Sequence, residues 1–380
     1  MKKIYDVLIL GGGASGLMCG AMADKNLEIA IVEHNEKEAK KLKISGGGKC
    51  NITNVDVSED NFDGNYEMLE YALTIFSKEA LLEFLQTHNI ELELRKGRYY
   101  FCKNSSQDVI NLLQAQTKHI KRYLNTEILS LTKEQEIFTL HTPHSKLNAR
   151  KVVVATGAKS FDKVGASEIG LEIAKSFNIE TKPFTPALVG LTLQKEQFWM
   201  KELSGLSCYV EIEVAGKIIK EEMLFAHKGI SGPAVLSASL YWKSKDITIN
   251  FLPECDILQL ASHSKKLLST LIPLPKRLAK ALLDALDIKD VVASSLTHQE
   301  REKLSMIHAY SFSPAGNFGF SKAEVCRGGV KAEELDIYSL MSKKVENLYF
   351  IGEVVDITGE LGGYNLQWAF SSGVICAQNL

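Results

Sequence analysis

The sequence predicts an α/β fold in which both ends of the chain build one domain and the middle is inserted into it. A strand, a glycine-rich turn and a helix follow one another at residues 5–25, and the same succession returns at residues 347–378. A further strand and turn lie at residues 151–158. At 380 residues the chain also exceeds the length, about 250–300 residues, at which single cores stop growing. We therefore expect more than one domain.

Composition narrows the class of protein. With 45% hydrophobic and 24% charged residues, the chain is typical of globular proteins and unlike disordered or collagen-like chains. A net charge of −2 gives no global basic field, so a nucleic-acid partner would need a local patch. The seven cysteines show no metal-ligand spacing, which predicts free thiols, no metal site and a cytoplasmic location. No apolar run reaches the roughly 20 residues that cross a bilayer.

The first motif follows a buried strand at residues 5–10 (YDVLIL). Gly11, Gly13 and Gly16 match the pattern G-x-G-x-x-G. In this pattern the first glycine permits a tight turn, the second lets the backbone approach a pyrophosphate, and the third lets helix and strand pack closely. Ala14 and Ser15 begin the helix, whose unpaired N–H groups would face the diphosphate.

The acid after the second strand completes this motif. The strand at residues 27–32 ends at Glu33, which lies 20 residues beyond Gly13 (33 − 13). An acid at this distance accepts hydrogen bonds from an unphosphorylated adenosine ribose, so FAD or NAD fits better than NADP. His34 is a further candidate contact. The alternative is a glycine-rich turn that binds nothing, which the flanking strand, helix and acid disfavour.

Residues 40–54 (KKLKISGGGKCNITN) combine three glycines with lysine, serine and asparagine. Exposed N–H donors, small side chains and positive charge suit a phosphate, or a polar ring held against the main chain. The alternative is a flexible surface loop, but the position directly after the Glu33 strand favours the wall of a cofactor or substrate site. The candidate contacts here are Lys41, Ser45, Gly46, Gly47, Cys50 and Asn51.

Two later strands also run into glycine-rich turns. Residues 151–155 (KVVVA) precede one turn, and residues 347–351 (NLYFI) precede another that leads into a helix at residues 366–378. A helix N-terminus would again face the ligand, and Gly373 would allow close packing. The candidate contacts are Ala155, Thr156, Gly157, Gly352, Glu353, Gly363, Tyr364, Asn365 and Leu366.

Together these stretches resemble the BaiN/RdsA-type family of NAD(P)/FAD-dependent oxidoreductases, along essentially the whole chain. The markers are GGGASG at residues 11–16, ISGGGKCNITN at 44–54, ATGAKSF at 155–161, LFAHKGISGPAVL at 224–236, RGGV at 327–330 and YFIGEVVDITGELGGYNLQWAFSSG at 349–373. Two positions depart from the family pattern. Ala158 stands where a second glycine is usual, and Cys326 stands where threonine is expected.

The resemblance implies a Rossmann-like FAD-binding domain of glutathione-reductase type, with three layers (ββα) and tightly but non-covalently bound FAD. Glu353 would hold a ribityl hydroxyl, and the helix beginning near Asn365 would face the flavin ring. Strand-like segments between residues 190 and 251, followed by a helical pattern to residue 308, agree with an inserted small β-barrel domain that carries a helical insert. The expected domains are 1–187 and 331–380 for FAD, 188–253 and 310–330 for the barrel, and 254–309 for the insert.

Three residues are candidate catalytic residues. Cys50 could act as a redox partner or proton donor, but no second cysteine lies within a few residues, and free cysteine is usually a small buried residue. His227 could supply a proton; a loop histidine is more often a hydrogen-bonding fixture. Tyr364 could contact flavin or donate a proton, and its alternative role is aromatic packing.

The expected reaction is hydride transfer from reduced flavin to an activated C=C bond. No second framed G-x-G-x-x-G occurs, so NAD(P)H would visit the flavin transiently. The resemblance implies a substrate that is either uridine in large-subunit ribosomal RNA or a steroid-like compound. The basic–aromatic stretch at residues 95–103 favours RNA, although such a stretch, taken alone, is more often a half-buried strand with solvated charges. The alternatives are a small-molecule ene-reductase or oxidase, and a flavin-bearing binding protein without turnover. The oligomeric state is not predicted.

Overall fold

The chain divides into two compact units. The computed structural model describes residues 3–161 and 164–380. One unit consists of Met1–Thr185 together with Val325–Leu380, and the other consists of Pro186–Glu324. Both ends of the chain thus belong to the first unit.

The strands, in chain order, are β1 (Ile4–Leu10), β2 (Ile29–Val32), β3 (Asn51–Asn54), β4 (Phe62–Asp63), β5 (Leu92–Arg95), β6 (Tyr99–Cys102), β7 (Lys121–Tyr123), β8 (Ser130–Glu134), β9 (Ile137–His141), β10 (Lys146–Val154), β11 (Thr181–Ala187), β12 (Leu191–Thr192), β13 (Ser207–Val214), β14 (Lys217–Ala226), β15 (Gly229–Ser231), β16 (Ile247–Asn250), β17 (Tyr310–Phe312), β18 (Gly316–Asn317), β19 (Val325–Val330), β20 (Leu348–Phe350) and β21 (Thr358–Gly359).

The helices are α1 (Ala14–Met22), α2 (Lys40–Gly48), α3 (Tyr66–Ile75), α4 (Lys78–Thr87), α5 (Ser106–Gln116), α6 (Ile169–Ser176), α7 (Pro233–Tyr241), α8 (Ile257–Ala261), α9 (Leu268–Leu271), α10 (Lys276–Ala285), α11 (His298–Ser305) and α12 (Tyr364–Gln378).

The first unit is built on a seven-stranded sheet in the order β7-β2-β1-β10-β9-β8, with β20 also paired to β10. Strands β7, β2, β1, β10 and β20 run parallel. The second half of β10, together with β1 and β2, is almost wholly buried, as expected for parallel strands covered on both faces. The predicted Rossmann-like α/β domain is thereby confirmed.

Strand β10 has two kinds of partner along its length. Its first residues pair antiparallel with β9, and its last three pair parallel with β20. Only the second half is a continuous apolar run, because the first half alternates between exposed and buried positions. This explains why the sequence pattern predicted a strand only from residue 151.

Helix α12 packs against α1 at very short range. A Cβ atom on Gly373 would lie 2.7 Å from the carbonyl oxygen of Ser15 and 3.1 Å from the amide nitrogen of Cys19. Only glycine lets the two backbones approach this closely. The two glycine-motif helices, from opposite ends of the sequence, are therefore held side by side.

The second unit contains an antiparallel seven-stranded sheet in the order β17-β16-β13-β14-β15-β12-β18. Its closure into a barrel stays a prediction. Helices α8 to α11 follow β16, where the sequence predicted a helical stretch. Helices α9 and α10 are separate, because Pro273 and Pro275 lie between them and proline disfavours helix continuation. No helix in the described parts of the chain is long and apolar enough to span a bilayer.

Candidate cofactor and active site

Four glycine-containing segments meet at one edge of the parallel sheet. Leu10, the last residue of β1, pairs with Val32 and Val154, and Val154 pairs in turn with Phe350. The residues that follow these strands therefore leave the sheet side by side. Open α/β sheets bind ligands in the crevice at the carboxyl ends of their strands, so this edge is the candidate site.

Two glycines of the G-x-G-x-x-G turn differ in the space around them. A Cβ on Gly16 would lie 2.1 Å from the carbonyl oxygen of Gly11, so helix and turn pack with no room for a side chain. A Cβ on Gly13 would meet nothing within 4 Å. The space beside Gly13 is therefore open at the N-terminus of α1, where N–H groups and the helix dipole attract a diphosphate. No side chain caps that helix end.

Glu33 is buried and held by three hydrogen bonds. Its Oε2 accepts from the amide of Gly12 at 2.8 Å, and its Oε1 accepts from the backbone and side-chain nitrogens of Asn35, both at 2.8 Å. Each carboxylate oxygen has further acceptor capacity. The fixed carboxylate therefore lies beside the glycine turn.

Lys41 and Glu353, both predicted as cofactor contacts, form an ion pair. The Nζ of Lys41 lies 2.6 Å from Oε2 of Glu353 and 2.7 Å from Oγ of Ser160. The backbone amide of Cys326 donates to Oε1 of Glu353 at 3.0 Å. At this position the contact comes from the main chain, so the cysteine in place of threonine does not remove it. Ser160 was not predicted, although it lies within the ATGAKSF motif.

Two of the predicted cofactor contacts, Asn51 and Thr156, each have a buried side-chain oxygen without a hydrogen-bond partner among the described residues. In the described part of the chain, Oδ1 of Asn51 and Oγ1 of Thr156 are buried and accept or donate no hydrogen bond. An unsatisfied buried polar atom costs about 1–3 kcal/mol. Both belong to segments that surround the candidate site, so a polar ligand that bonds them would recover this energy.

The turn before α12 is closed by the side chain of Asn365. Its Oδ1 accepts from the amide of Gly359 at 2.9 Å and its Nδ2 donates to the carbonyl of Gly359 at 2.8 Å. The amide group of Asn365 is thus engaged in shaping the turn. The backbone N–H groups at the start of α12, from Tyr364 to Leu366, stay available to a ligand, since the first helical bond runs from the amide of Gln367 to Gly363.

Tyr364 is buried next to the same turn. Its ring packs edge-on against Phe62, with 5.8 Å between centroids. Burial, reinforced by the charge of Glu360, raises the pKa of Tyr364 to about 12. The guanidinium of Arg98 donates a hydrogen bond to its hydroxyl. Tyr364 therefore keeps its proton at neutral pH.

Cys50 has a neighbour that sequence spacing did not reveal. Strands β3 and β6 pair antiparallel with Asn51 opposite Phe101, which places Cys50 opposite Cys102, and a hydrogen bond joins the two thiols. Burial raises the pKa of Cys50 well above its ordinary value. The Cys50 thiol is therefore protonated at neutral pH, as expected of a proton donor or of a packing residue but not of a thiolate nucleophile.

The remaining predicted residues divide between the two units. Helix α2 is interrupted at Ser45, Gly46 and Gly47, whose φ and ψ are not helical and which form the glycine loop. Ser45 donates from Oγ to the carbonyl of Leu42 at 2.7 Å at this interruption. His34 is exposed beside Glu33, and Gly47 is exposed in the loop. His227, the third catalytic candidate, is exposed between β14 and β15 in the second unit, whereas every predicted cofactor contact belongs to the first.

The profile of the family described as "HI0933-like protein Rossmann domain" matches residues 5–379. The chain belongs to this family. The HI0933-like chain is 34% identical over 391 residues to "Ribosomal RNA dihydrouridine synthase" of Escherichia coli, covering 99% of this chain and 98% of the relative. It is 28% identical over 402 residues to "3-dehydro-bile acid delta(4,6)-reductase" of Clostridium scindens, covering 97% of each. The predicted resemblance to BaiN/RdsA-type oxidoreductases is confirmed.

A solved structure supports the fold of this HI0933-like protein. It is similar to 3-ketosteroid delta1-dehydrogenase from Sterolibacterium denitrificans, with a TM-score of 0.53 at 13% identity and 99% coverage of both chains. At this identity the likeness concerns the fold alone. The residues of the site fit FAD: an open helix N-terminus for the diphosphate, a fixed acid for the ribose and unpartnered buried oxygens further along.

Proposed function

We propose that this HI0933-like oxidoreductase reduces uridine in large-subunit ribosomal RNA to dihydrouridine, using FAD and NAD(P)H. The observation that carries the proposal is the 34% identity, over 99% of the chain, to a relative named for this reaction. Similarity of this extent includes the whole candidate site and not the dinucleotide motif alone.

The proposed reaction adds one hydride and one proton across the C5=C6 bond of uracil. Both electrons come from the nicotinamide dinucleotide, which leaves as its oxidised form, and the proton comes from a side chain or from water. When bound, FAD would supply the hydride chemistry, with the nicotinamide as the source of its two electrons. The protein supplies binding, orientation and the proton.

The cofactor contacts follow from the geometry. Open space beside Gly13 and the N-terminus of α1 would receive the diphosphate, and Glu33 would accept from the adenosine ribose. Glu353, oriented by Lys41 and Ser160, would hold a ribityl hydroxyl. Asn51 and the N-terminus of α12 would contact the flavin ring.

Tyr364 is the favoured proton donor. Its hydroxyl is protonated across the physiological pH range and hydrogen-bonded to Arg98, so both its proton and its position are defined. Cys50 is also protonated and lies at the edge of β3, and His227 remains a candidate from the second unit. Transient binding of NAD(P)H and a cytoplasmic location, where the seven free cysteines would stay reduced, belong to the same proposal.

A second candidate function is the reduction of a small unsaturated molecule of steroid-like shape. The observation that favours it is the 28% identity to the bile acid reductase over 97% of both chains. A flavin-bearing binding protein without turnover is the remaining alternative, and it would retain FAD without oxidising NAD(P)H in the presence of either substrate.

The proposal is tested by mass-spectrometric quantification of dihydrouridine in ribosomal RNA from cells with and without the gene. The expected result is loss of dihydrouridine on deletion and its return with the intact gene. Purified holoenzyme with NAD(P)H should also form dihydrouridine in an unmodified large-subunit RNA transcript. Unchanged dihydrouridine in the deletion strain would refute the RNA reaction, and NAD(P)H oxidation with steroid enones would then support the second candidate.

A further inference from the structure

A β-hairpin in the first unit carries a dense group of positive charges. Strands β5 and β6 are joined by residues 96–98, of which Lys96 and Gly97 have positive φ, at +47° and +66°. The amide of Arg98 donates to the carbonyl of Arg95 at 3.0 Å. This geometry is that of a tight primed turn, whose twist matches the strands. It fixes Arg95 and Arg98 at the base of the turn and Lys96 at its tip.

Each arginine of the hairpin stacks on an aromatic ring. The guanidinium of Arg95 lies 4.6 Å from the ring centroid of Phe101, and that of Arg98 lies 4.8 Å from the centroid of Tyr99. Stacking of this kind orients a guanidinium without using its hydrogen-bond donors. Nε and Nη2 of Arg95 donate to the exposed carboxylate of Glu93, at 3.2 and 3.0 Å, so this guanidinium already faces an anion.

The hairpin borders the candidate active site. A Cβ on Gly46 would lie 2.8 Å from the ring of Phe101, and one on Gly362 would lie 3.1 Å from the ring of Tyr99. Arg98 also bonds the hydroxyl of Tyr364. The same aromatic rings thus contact the glycine loop, the turn before α12 and the two arginines.

Further lysines extend the positive surface. Nζ of Lys49 donates to the carbonyl of Lys103 at 2.9 Å, which places both lysines together at the end of β6. Residues 91–103 hold four basic and two acidic side chains (+4 − 2 = +2), although the whole chain is at −2. The two acids form exposed ion pairs with Arg95 and Lys103. Exposed ion pairs contribute little stability, so a phosphate can replace either acid.

We propose that this hairpin binds the phosphate backbone of a looped-out RNA segment beside the reacting nucleotide. The inference rests on the proposed function. A uracil inside a duplex cannot reach a buried site, so its nucleotide must leave the stack, and its flanking phosphates then need cations at the rim. Arg95 and Lys96 contact these phosphates, and Arg98 links the same strand to Tyr364. Paired cations and aromatic rings are the means by which proteins hold single-stranded nucleic acid.

The test measures RNA binding by the FAD-loaded protein without turnover. The probes are an unmodified large-subunit RNA transcript and a uridine dodecamer, titrated across a range of salt concentrations. The double variant R95Q/K96Q is compared with K25Q/K118Q, which removes two charges from exposed lysines elsewhere on the same unit. FAD content, read from flavin absorbance, should be equal in all three proteins.

We expect the Kd of R95Q/K96Q for both probes to rise about tenfold or more at moderate salt. Its slope of log Kd against log salt should fall by about 1.4, because each lost single-strand phosphate contact removes about 0.7. The control variant should bind as the wild type does. Unchanged Kd and slope in R95Q/K96Q, no RNA binding by the wild type, or an equal loss of binding to the anionic polymer polyglutamate would overturn the proposal.

The two proposals fail in different ways. If R95Q/K96Q loses RNA binding while the wild type forms no dihydrouridine, RNA binding by the hairpin is supported and the proposed reaction is refuted. If the wild type forms dihydrouridine and R95Q/K96Q does so with the same kcat/KM, the proposed reaction is supported and RNA binding by the hairpin is refuted.

Discussion

The Nζ of Lys41 lies 2.6 Å from Oε2 of Glu353, although 312 positions separate the two residues in the chain. The pair joins the segment after β2 to the turn after β20, and Ser160 adds the segment after β10. Three of the four segments at the carboxyl edge are thus cross-linked by one polar cluster. The cluster fixes the orientation of Glu353, the acid expected to bind the cofactor.

Replacing Glu353 should weaken FAD retention. Glu353→Ala leaves Nζ of Lys41 and the amide of Cys326 without their acceptor, and a partly buried unmatched donor costs about 1–3 kcal/mol. Glu353→Gln keeps an acceptor oxygen and should retain more FAD. The measurement is the ratio of flavin absorbance to protein after purification. Glu346→Gln, a charge change at an exposed position of the same unit, serves as the control; equal FAD content in all variants would contradict the role.

Two glycines of one motif should respond differently to substitution. Gly13→Val introduces a side chain into open space at an ordinary backbone conformation (φ −83°, ψ −167°), so the apoprotein should keep its stability but lose FAD. Gly16→Val forces contact with the carbonyl of Gly11 and should destabilise the apoprotein by about 1–3 kcal/mol or more. Urea unfolding of both apoproteins, with flavin content, separates the effects. A Gly13→Val protein that retains full FAD would refute the diphosphate site.

The cysteines should differ sharply in reactivity. Six are buried, and only Cys255 is partly exposed. Burial also raises the pKa of Cys50, so its reactive thiolate is scarce at neutral pH. A thiol reagent at pH 7–8 should therefore modify one cysteine in the native protein and seven after denaturation. The variant Cys255→Ser should show none in the native state; rapid labelling of Cys50 would contradict its burial.

Tyr364 should make stability fall at alkaline pH. Its pKa is about 12 in the folded protein, against about 10 in the unfolded chain. Between these values the unfolded chain releases the proton and the folded one keeps it, so stability present below pH 10 is lost as the pH rises toward 12. By pH 11 the loss from this group is about 1 kcal/mol. In urea titrations from pH 8 to 11, Tyr364→Phe should lose correspondingly less stability than the wild type.

The same substitution tests the proton donor. Tyr364→Phe should slow single-turnover formation of dihydrouridine about 100-fold, a typical effect of losing general acid catalysis. The Kd for RNA should change little, because the phosphate contacts are assigned to the hairpin. A normal single-turnover rate would transfer the role to Cys50 or His227, and Cys50→Ala would be measured next.

The sequence predicted the elements of the site better than their contacts. Glycine spacing and apolar strands locate Gly13, Glu33 and Gly352, because these signals are local. The cluster around Glu353 and the Cys50–Cys102 pair depend on the order of strands and on the β3–β6 register, which no local pattern encodes. The hairpin at residues 95–103 stood out by composition, but its closeness to Tyr364 required the fold.

The contact between Gly373 and Ser15 has a consequence for the order of folding. During synthesis Ser15 leaves the ribosome 358 residues before Gly373 (373 − 15 = 358), so the G-x-G-x-x-G turn forms long before the helix that packs against it. Until then the face of α1 that packs against α12 and the edge of β10 that pairs with β20 stay exposed, and they are a natural target for chaperones. FAD present at that stage would meet only the part of the site that the N-terminal segments form. We expect cofactor loading to be a post-translational event, completed when the two ends of the chain meet.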